Sequence, residues 1–88
     1  MEMYELRITV AAREEFLLLP LRMHGRVQEV FDRLIRWPNV SGTKPLRAAL
    51  KGAWRVRSGD WRVLFTVDEQ TRRITVFRIA NRRDVYDD

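Results

Sequence analysis

The sequence contains no cysteine and only one histidine, His24. The absence of cysteine excludes disulfide bonds, thiolate zinc sites and a cysteine nucleophile, and it is typical of small domains that work inside the cell. A single histidine argues against a histidine-built metal site or proton relay. We therefore predict that the protein uses neither a metal ion nor another cofactor.

Long apolar runs are also missing. The longest uncharged apolar run is Phe16–Leu21, whereas a membrane-spanning helix needs about 20 apolar residues. The first ten residues alternate between polar and apolar types and include two glutamates, which does not match a secretory signal peptide. These observations predict a soluble, cytoplasmic protein with no membrane partner.

Glycine and proline are scarce, at 4 and 3 residues, and 45% of the 88 residues are hydrophobic. This composition excludes collagen-like and low-complexity chains, and it supplies enough apolar side chains for a folded core. A chain of this length fits a single hydrophobic core. We expect one domain that spans residues 1–88.

Lysine is the scarce cation, because 15 of the 17 basic residues are arginine and the two lysines are Lys44 and Lys51. The charge is uneven as well, with 7 basic and 6 acidic residues in 1–44 but 10 basic and 6 acidic residues in 45–88. One planar guanidinium group donates two parallel hydrogen bonds to the oxygens of a phosphate. An arginine-rich C-terminal half therefore predicts a polyanionic partner, and a composition that replaces lysine by arginine throughout is the alternative explanation.

The apolar periodicity predicts an α+β fold with the element order β-α-α-β-β-β. A strand over 3–10 precedes a short helix that begins at Ala11 and ends near Pro20, where the ring removes an amide donor. The second helix carries an apolar stripe formed by Met23, Val27, Val30, Phe31 and Leu34. Residues 39–53 are predicted to form a loop with at most one helical turn. Strands over 54–57, 61–67 and 74–79 complete an antiparallel sheet, with the αα-hairpin packed on one face.

The hairpin between the second and third strands gathers arginines on one face of the sheet. With a two-residue loop at 58–59, Arg57 faces Asp60 as a partner, and Arg55 faces Arg62. The side chains that point away from the helices in this register are Arg55, Arg57, Asp60 and Arg62. The next loop, at 68–72, pairs Val63 with Phe77 and Arg62 with Arg78, which adds Arg78 to the same face.

This face is predicted to bind a polyphosphate. Six basic residues lie between Lys44 and Arg62, and Asp60 is the only acidic residue in that segment. A solvated sheet face whose charges are balanced by acids is the alternative interpretation. An open basic antiparallel sheet suits single-stranded RNA, because guanidinium groups bind backbone oxygens and nearby aromatic rings stack on bases.

Two segments carry a more specific signal. LKGAWRVRSGDWRVLFTVDE at 50–69, followed by VFRIANRRDVY at 76–86, resembles the RelE/ParE superfamily of toxins from type II toxin-antitoxin systems. Members commonly carry a leucine-lysine-glycine segment, an arginine-rich hairpin with a Gly-Asp turn, and a terminal Arg-x-x-x-Tyr motif. The resemblance implies a RelE-like fold and a cognate antitoxin as a partner.

Members of the RelE branch are ribosome-dependent ribonucleases, in which the ribose 2′-hydroxyl attacks its own 3′ phosphate. The resemblance thus implies a metal-independent mRNA endoribonuclease, with the ribosome and messenger RNA as partners. The residues assigned to catalysis by this comparison are Arg55, Arg57, Arg62, Arg82 and Tyr86. The residues predicted to bind the RNA backbone are Lys44, Lys51, Arg78 and Arg83.

Two other functions remain open at this point. Arg55 and Arg57 stand where relatives often carry lysines, and Asn81 stands where many carry a histidine, so Tyr86 is the main candidate for proton transfer. The ParE branch shares the scaffold and inhibits DNA gyrase without cutting RNA. An inactive relative that retains only the antitoxin-binding surface is the third interpretation.

Overall fold

The computed structural model describes residues 3–85. Within them the strands are β1 (Glu5–Ile8), β2 (Thr43–Pro45), β3 (Trp54–Ser58), β4 (Trp61–Asp68) and β5 (Arg73–Asn81). The helices are α1 (Val10–Leu17) and α2 (Leu21–Leu34), and short 3₁₀ turns cover Ala48–Leu50 and Arg82–Asp84. The predicted α+β fold is confirmed, and the predicted helical turn within 39–53 is present at Ala48–Leu50.

The two helices begin where the sequence provides a start signal. Thr9 caps α1, since its Oγ1 accepts a hydrogen bond from the Ala12 amide at 3.1 Å. Pro20 separates α1 from α2 and precedes the first residue of α2. No helix within residues 3–85 is both long enough and apolar enough to cross a membrane.

The core lies between α2 and one face of the sheet. The buried residues of α2 are the five that the apolar stripe predicts: Met23, Val27, Val30, Phe31 and Leu34. They belong to one cluster with sheet residues that include Val56, Val63, Phe65, Ile74 and Val76. Burial of apolar surface on this scale is the main stabilising contribution to a small domain.

The sheet has the strand order β1-β5-β4-β3-β2. β1 pairs with β5 in parallel, whereas the other pairs are antiparallel. The prediction of a wholly antiparallel sheet is therefore wrong at β1, because alternation along a strand does not reveal the direction of a partner so far along the chain. The loop prediction is also wrong at Thr43–Pro45, which forms edge strand β2 against β3. A proline is tolerated there because an edge position need not donate a ladder hydrogen bond.

The hairpin of β3 and β4 differs from its predicted register. Its loop residues are Gly59 and Asp60, so Arg57 pairs with Arg62 and Arg55 pairs with Leu64. Gly59 has a φ of 60°, which is the left-handed conformation that a two-residue loop requires at its first position and that glycine adopts without strain. The partners move by two positions, so Arg55, Arg57 and Arg62 keep their predicted face, whereas Asp60 lies in the loop.

A β-bulge interrupts the pairing of β4 with β5 between Leu64 and Phe65. Leu64 pairs with Arg78 and Phe65 pairs with Val76, so Phe77 is the extra residue on β5. The predicted pairs of Val63 with Phe77 and of Arg62 with Arg78 are both wrong, because the loop shifts the register by one residue and the bulge shifts it by one more. Val63 pairs with Ile79, and Arg62 pairs with Ala80. Phe77 packs in the apolar cluster that contains Leu64, on the face opposite the helices.

Candidate nucleic-acid interface

Two rows of side chains cross the sheet face that is turned away from the helices, here called the outer face. The first row, from β2 to β5, is Lys44, Arg55, Leu64 and Arg78, each paired directly with the next. The second row is Arg57, Arg62 and Ala80. Neighbouring strands lie about 4.8 Å apart, so the structure brings five of the predicted cations together on one surface.

The cations of the outer face differ in exposure. Arg55 and Arg62 are buried, with 5% and 7% of their surface accessible, while Arg57 is exposed. The Arg78 side chain is 43% exposed. Buried guanidinium groups are fixed by their surroundings, whereas Arg57 is presented to solvent. The outer face therefore carries two buried guanidinium groups, those of Arg55 and Arg62, and the exposed guanidinium group of Arg57.

Arg62 folds back onto its own hairpin. Its Nη1 donates to the carbonyl oxygens of Gly59 and Trp61, each at 3.3 Å. The guanidinium is thereby held at the end of the hairpin, beside the exposed Arg57. A guanidinium group is planar and carries five N–H donors, which is the arrangement that suits phosphate oxygens.

The loop of the same hairpin also positions Arg82. The Arg82 amide donates to the Asp60 carbonyl oxygen at 2.7 Å, and Arg82 Nε lies 3.7 Å from Asp60 Oδ1. The prediction that Asp60 partners Arg57 is therefore wrong, because Asp60 lies in the loop itself and its ion pair is with Arg82. This contact anchors the 3₁₀ turn that follows β5 at the end of the outer face.

Asn81 organises the same 3₁₀ turn. Its Oδ1 accepts hydrogen bonds from the Arg83 amide at 3.1 Å and from Arg83 Nε at 3.4 Å. Arg83 is exposed, and it lies on the turn rather than within the two rows. Tyr86, the predicted proton-transfer residue, lies outside the described residues.

Arg78 is held by a residue of the other layer. Glu15 of α1 accepts a hydrogen bond from the Ile79 amide at 2.7 Å through Oε1, and its Oε2 lies 3.8 Å from Arg78 Nε. β1 pairs with β5 only as far as Val76. The Glu15 carboxylate thus satisfies the β5 edge where β1 has ended, and it lies within ion-pair distance of Arg78.

An apolar cleft of about 560 Å³ lies beside the first row of cations. Its lining consists of the segment 47–50 together with Leu64, Phe77, Arg78, Asp84 and Val85. Lys51 follows that segment, is exposed, and lines a separate shallow depression with Thr66 and Phe77.

Sequence reasoning missed three residues of this cleft: Arg47, Phe77 and Asp84. The bulge turns Phe77 to the outer face, and strict alternation does not reveal a bulge. Arg47 and Asp84 lie in segments without regular periodicity. Arg47 belongs to the basic C-terminal half, which was the only available signal for it, and nothing in the sequence singled out Asp84.

Comparison with known proteins gives one consistent result. A family model described as "ParE toxin of type II toxin-antitoxin system, parDE" matches residues 6–86. The chain is 36% identical to "Toxin RelG" of Mycobacterium tuberculosis over 84 residues, which is 94% of this chain and 95% of that toxin. It is 34% identical to "Toxin RelE" of the same organism over 94% of this chain and 86% of that toxin.

A solved structure agrees with these matches. The RelBE2 toxin-antitoxin complex of Mycobacterium tuberculosis contains a chain that superimposes with a TM-score of 0.79 at 32% identity, covering 90% of this chain and 98% of that one. This chain therefore belongs to the RelE/ParE superfamily and is a toxin of a type II toxin-antitoxin system.

Proposed function

We propose that this toxin is a ribosome-dependent endoribonuclease that cuts messenger RNA. The observation that carries the proposal is the pair of cationic rows on the outer face, with Lys44, Arg55 and Arg78 in one and Arg57 and Arg62 in the other. An open basic sheet binds an extended single strand through several backbone phosphates at once. The similarity to toxins named RelG and RelE favours the same reaction class.

The reaction needs no external reactant. The 2′ oxygen of a ribose attacks the phosphorus of its own 3′ phosphate, and the bond from phosphorus to the 5′ oxygen of the next nucleotide breaks. The 2′-hydroxyl loses a proton, the leaving 5′ oxygen gains one, and the products are a 2′,3′-cyclic phosphate and a 5′-hydroxyl. The enzyme must stabilise the charge of the phosphorane and move these protons.

In this proposal, different residues of the outer face stabilise the phosphorane charge and bind the RNA backbone. Arg55 and Arg62 are buried, and Arg62 is held by two carbonyl oxygens of its hairpin. They supply positive charge that is in place before the reaction. Arg57 is exposed and meets the RNA backbone, and Arg82 is anchored to the hairpin loop by Asp60. Arginine stays protonated at ordinary pH, so we assign proton transfer to Tyr86.

The ribosome completes the site in this proposal. The two rows lie on an open sheet that does not enclose a substrate, so orientation of the scissile phosphate must come from a second surface. A ribosome that holds the message in an extended conformation provides it. The proposal places the toxin in the cytoplasm, where messages are translated.

Inhibition of DNA gyrase is the second candidate, and one observation favours it. The matching family model is described by the ParE toxin, and the arginines of the outer face cannot act as bases. In this case the basic surface binds a protein or a DNA complex, and no RNA bond breaks.

Two assays separate these functions. Primer extension on a message in an in vitro translation reaction is expected to show toxin-dependent stops, whereas a gyrase supercoiling assay is expected to be unaffected. Arg57→Thr should remove the stops, and Arg22→Ala, which removes an exposed arginine of α2, should retain them. Inhibited supercoiling with an intact message would assign the toxin to gyrase, and efficient cutting of naked RNA would contradict the ribosome requirement.

We further propose that a cognate antitoxin binds this chain, as in the solved toxin-antitoxin complex to which it is similar. The antitoxin is expected to lie across the helices and the sheet and to cover or distort the face that carries Arg55, Arg57 and Arg62. The corner between α1 and α2 offers apolar surface for such a partner, since its exposed leucines are Leu17, Leu18 and Leu21, at 63%, 85% and 85%.

Growth assays test the antitoxin proposal. Expression of the toxin alone should arrest growth, and co-expression of the antitoxin encoded beside it should restore growth. Unhindered growth with abundant folded protein would instead favour an inactive relative.

A further inference from the structure

Glu15 connects α1 to the sheet at the edge of β5. β1 pairs with β5 only as far as Val76, so the amide of Ile79 lies beyond the end of β1. Glu15 Oε1 accepts a hydrogen bond from that amide at 2.7 Å. Because the acceptor is ionised, this bond belongs to the shorter and stronger class of protein hydrogen bonds. The Glu15 carboxylate is therefore anchored to the backbone of β5.

The second oxygen of the same carboxylate faces Arg78, the residue that precedes Ile79. Glu15 Oε2 lies 3.8 Å from Arg78 Nε. That nitrogen is buried and has no hydrogen-bond partner within residues 3–85, although the Arg78 side chain as a whole is 43% exposed. A buried donor without an acceptor is costly, and a carboxylate at this distance offsets part of the cost by its charge.

The contact is on the side of the guanidinium group that is nearest to the backbone. Nε joins the group to its aliphatic chain, whereas the two Nη atoms are at the tip and carry the remaining donors. A carboxylate anchored near Nε restricts rotation of the group and leaves the tip for another acceptor. Arg78 lies in the first row of the outer face with Lys44 and Arg55, so such an acceptor approaches from that face.

We infer that Glu15 is a positioning residue for RNA binding, which holds the Arg78 guanidinium group so that its Nη atoms meet a backbone phosphate. Glu15 acts through Arg78 and does not contact the RNA. The inference rests on the proposed ribonuclease function, because it takes Arg78 as one of the cations that bind the message. It makes an acidic residue strengthen the binding of an anion. A carboxylate that merely competed with phosphate for Arg78 would have the opposite effect.

Glu15→Gln separates the two contacts of the carboxylate. The glutamine amide oxygen still accepts from the Ile79 amide, but the side chain has no charge with which to hold Arg78. We expect little change in Tm, and an affinity about threefold or more weaker for ribosomes programmed with a 2′-O-methylated message, which cannot be cut. On an ordinary message KM should rise, while kcat stays within about twofold of the native value. Glu14→Gln, which removes the neighbouring exposed carboxylate of α1, should change none of these quantities.

A double-mutant cycle with Arg78→Gln shows whether Glu15 acts through Arg78. Glu15→Gln should weaken binding to the programmed ribosome in the native background and have no further effect in the Arg78→Gln background. An equal loss in both backgrounds would overturn the inference, because Glu15 would then act on the sheet edge and not on Arg78. Tighter binding by Glu15→Gln would overturn it as well, since the carboxylate would then compete with phosphate.

Hydrogen exchange of the Arg78 Nε–H group tests the positioning without RNA. In the ¹⁵N-labelled full chain, Glu15→Gln should speed this exchange by about threefold or more, because the buried nitrogen loses its charged neighbour, and Glu14→Gln should leave it unchanged. Equal exchange in the native toxin and Glu15→Gln would refute the inference and leave the ribonuclease proposal standing. If the native toxin neither binds nor cuts on programmed ribosomes, the ribonuclease proposal fails and the role of Glu15 in RNA binding fails with it. The exchange rates would still decide whether Glu15 holds Arg78.

Discussion

Arg57 lies directly opposite Arg62 in the antiparallel hairpin of β3 and β4. Like charges in directly paired positions destabilise a sheet by about 0.2–1 kcal/mol, and Asp60, the acidic residue of the hairpin loop, forms its ion pair with Arg82. A fold selected for stability alone has no reason to keep this pair. The arrangement fits the anionic RNA backbone of the proposed function.

The Arg57 and Arg62 pair gives the first prediction. Arg57→Thr removes one cation and introduces a β-branched residue, so the free energy of unfolding should rise by about 0.2–1 kcal/mol in urea denaturation. RNA cleavage on the ribosome should fall in the same variant. Arg7→Thr is the matched control, because Arg7 contacts Glu5 rather than another cation, and it should not stabilise the protein. A less stable Arg57→Thr would contradict the predicted repulsion.

Arg62 gives the second prediction, because its guanidinium is buried and donates to two carbonyl oxygens of its own hairpin. Arg62→Ala should lower kcat/KM by a factor of about 10²–10³, as expected for loss of a preorganised charge donor. It should also lower the free energy of unfolding by about 1–3 kcal/mol, because those carbonyl oxygens lose a charged donor. Arg62→Lys keeps the charge but not the planar fork, and it should recover only part of both losses. Single-turnover cleavage and urea denaturation measure the two effects, and full activity in Arg62→Ala would exclude Arg62 from the site.

Tyr86 gives the third prediction. Tyr86→Phe keeps the ring and deletes the hydroxyl, so the single-turnover rate at saturating ribosome should fall by a factor of about 10² or more if the hydroxyl transfers a proton. Ribosome affinity should change little. Tyr4→Phe is the control, because Tyr4 is the other tyrosine of the chain and precedes β1. An unchanged rate in Tyr86→Phe would leave the ring with a stacking role only.

Glu5 gives the fourth prediction, which concerns pH. Hydrogen bonds from Arg73 Nε and Arg7 Nε, each at 3.1 Å, lower the pKa of Glu5 below its ordinary value. Because the folded pKa is below the unfolded one, the stabilisation is fully present above the ordinary glutamate pKa, and it is lost as the pH falls through the folded pKa. Glu5→Gln should therefore lower Tm slightly at pH 7 and not at pH 3. A Tm difference of equal size at both pH values would show that the carboxylate charge is not its cause.

The faces of the strands were predictable from the sequence because the side-chain period of a strand is two. The five buried residues of α2 were predictable for the same kind of reason, since a period of 3.6 places them on one stripe. The predicted hairpin loop was displaced by one residue. The predicted face of the sheet was nevertheless correct for Arg55, Arg57, Arg62 and Arg78. A change of partner by two residues does not alter the side of the sheet.

The remaining features depend on contacts that no local pattern encodes. The cleft around Phe77 exists because of a bulge, and the ion pair of Arg78 with Glu15 depends on where β1 stops. The parallel pairing of β1 with β5 joins segments that are far apart in the chain. Glu5, for example, pairs with Arg73, which is 68 positions away. Tertiary packing decides such features, and period and propensity do not.

The position of β1 in the sheet affects when a newly synthesised toxin becomes harmful to the cell. β1 is synthesised first, yet its neighbour in the sheet is the last strand, β5. Long-range strand pairing delays folding, and here β1 cannot pair until β5 has been translated. If the toxin acts as proposed, the nascent chain cannot act on a ribosome before β5 has been made. This interval gives an antitoxin already present in the cell the opportunity to meet the toxin as it finishes folding.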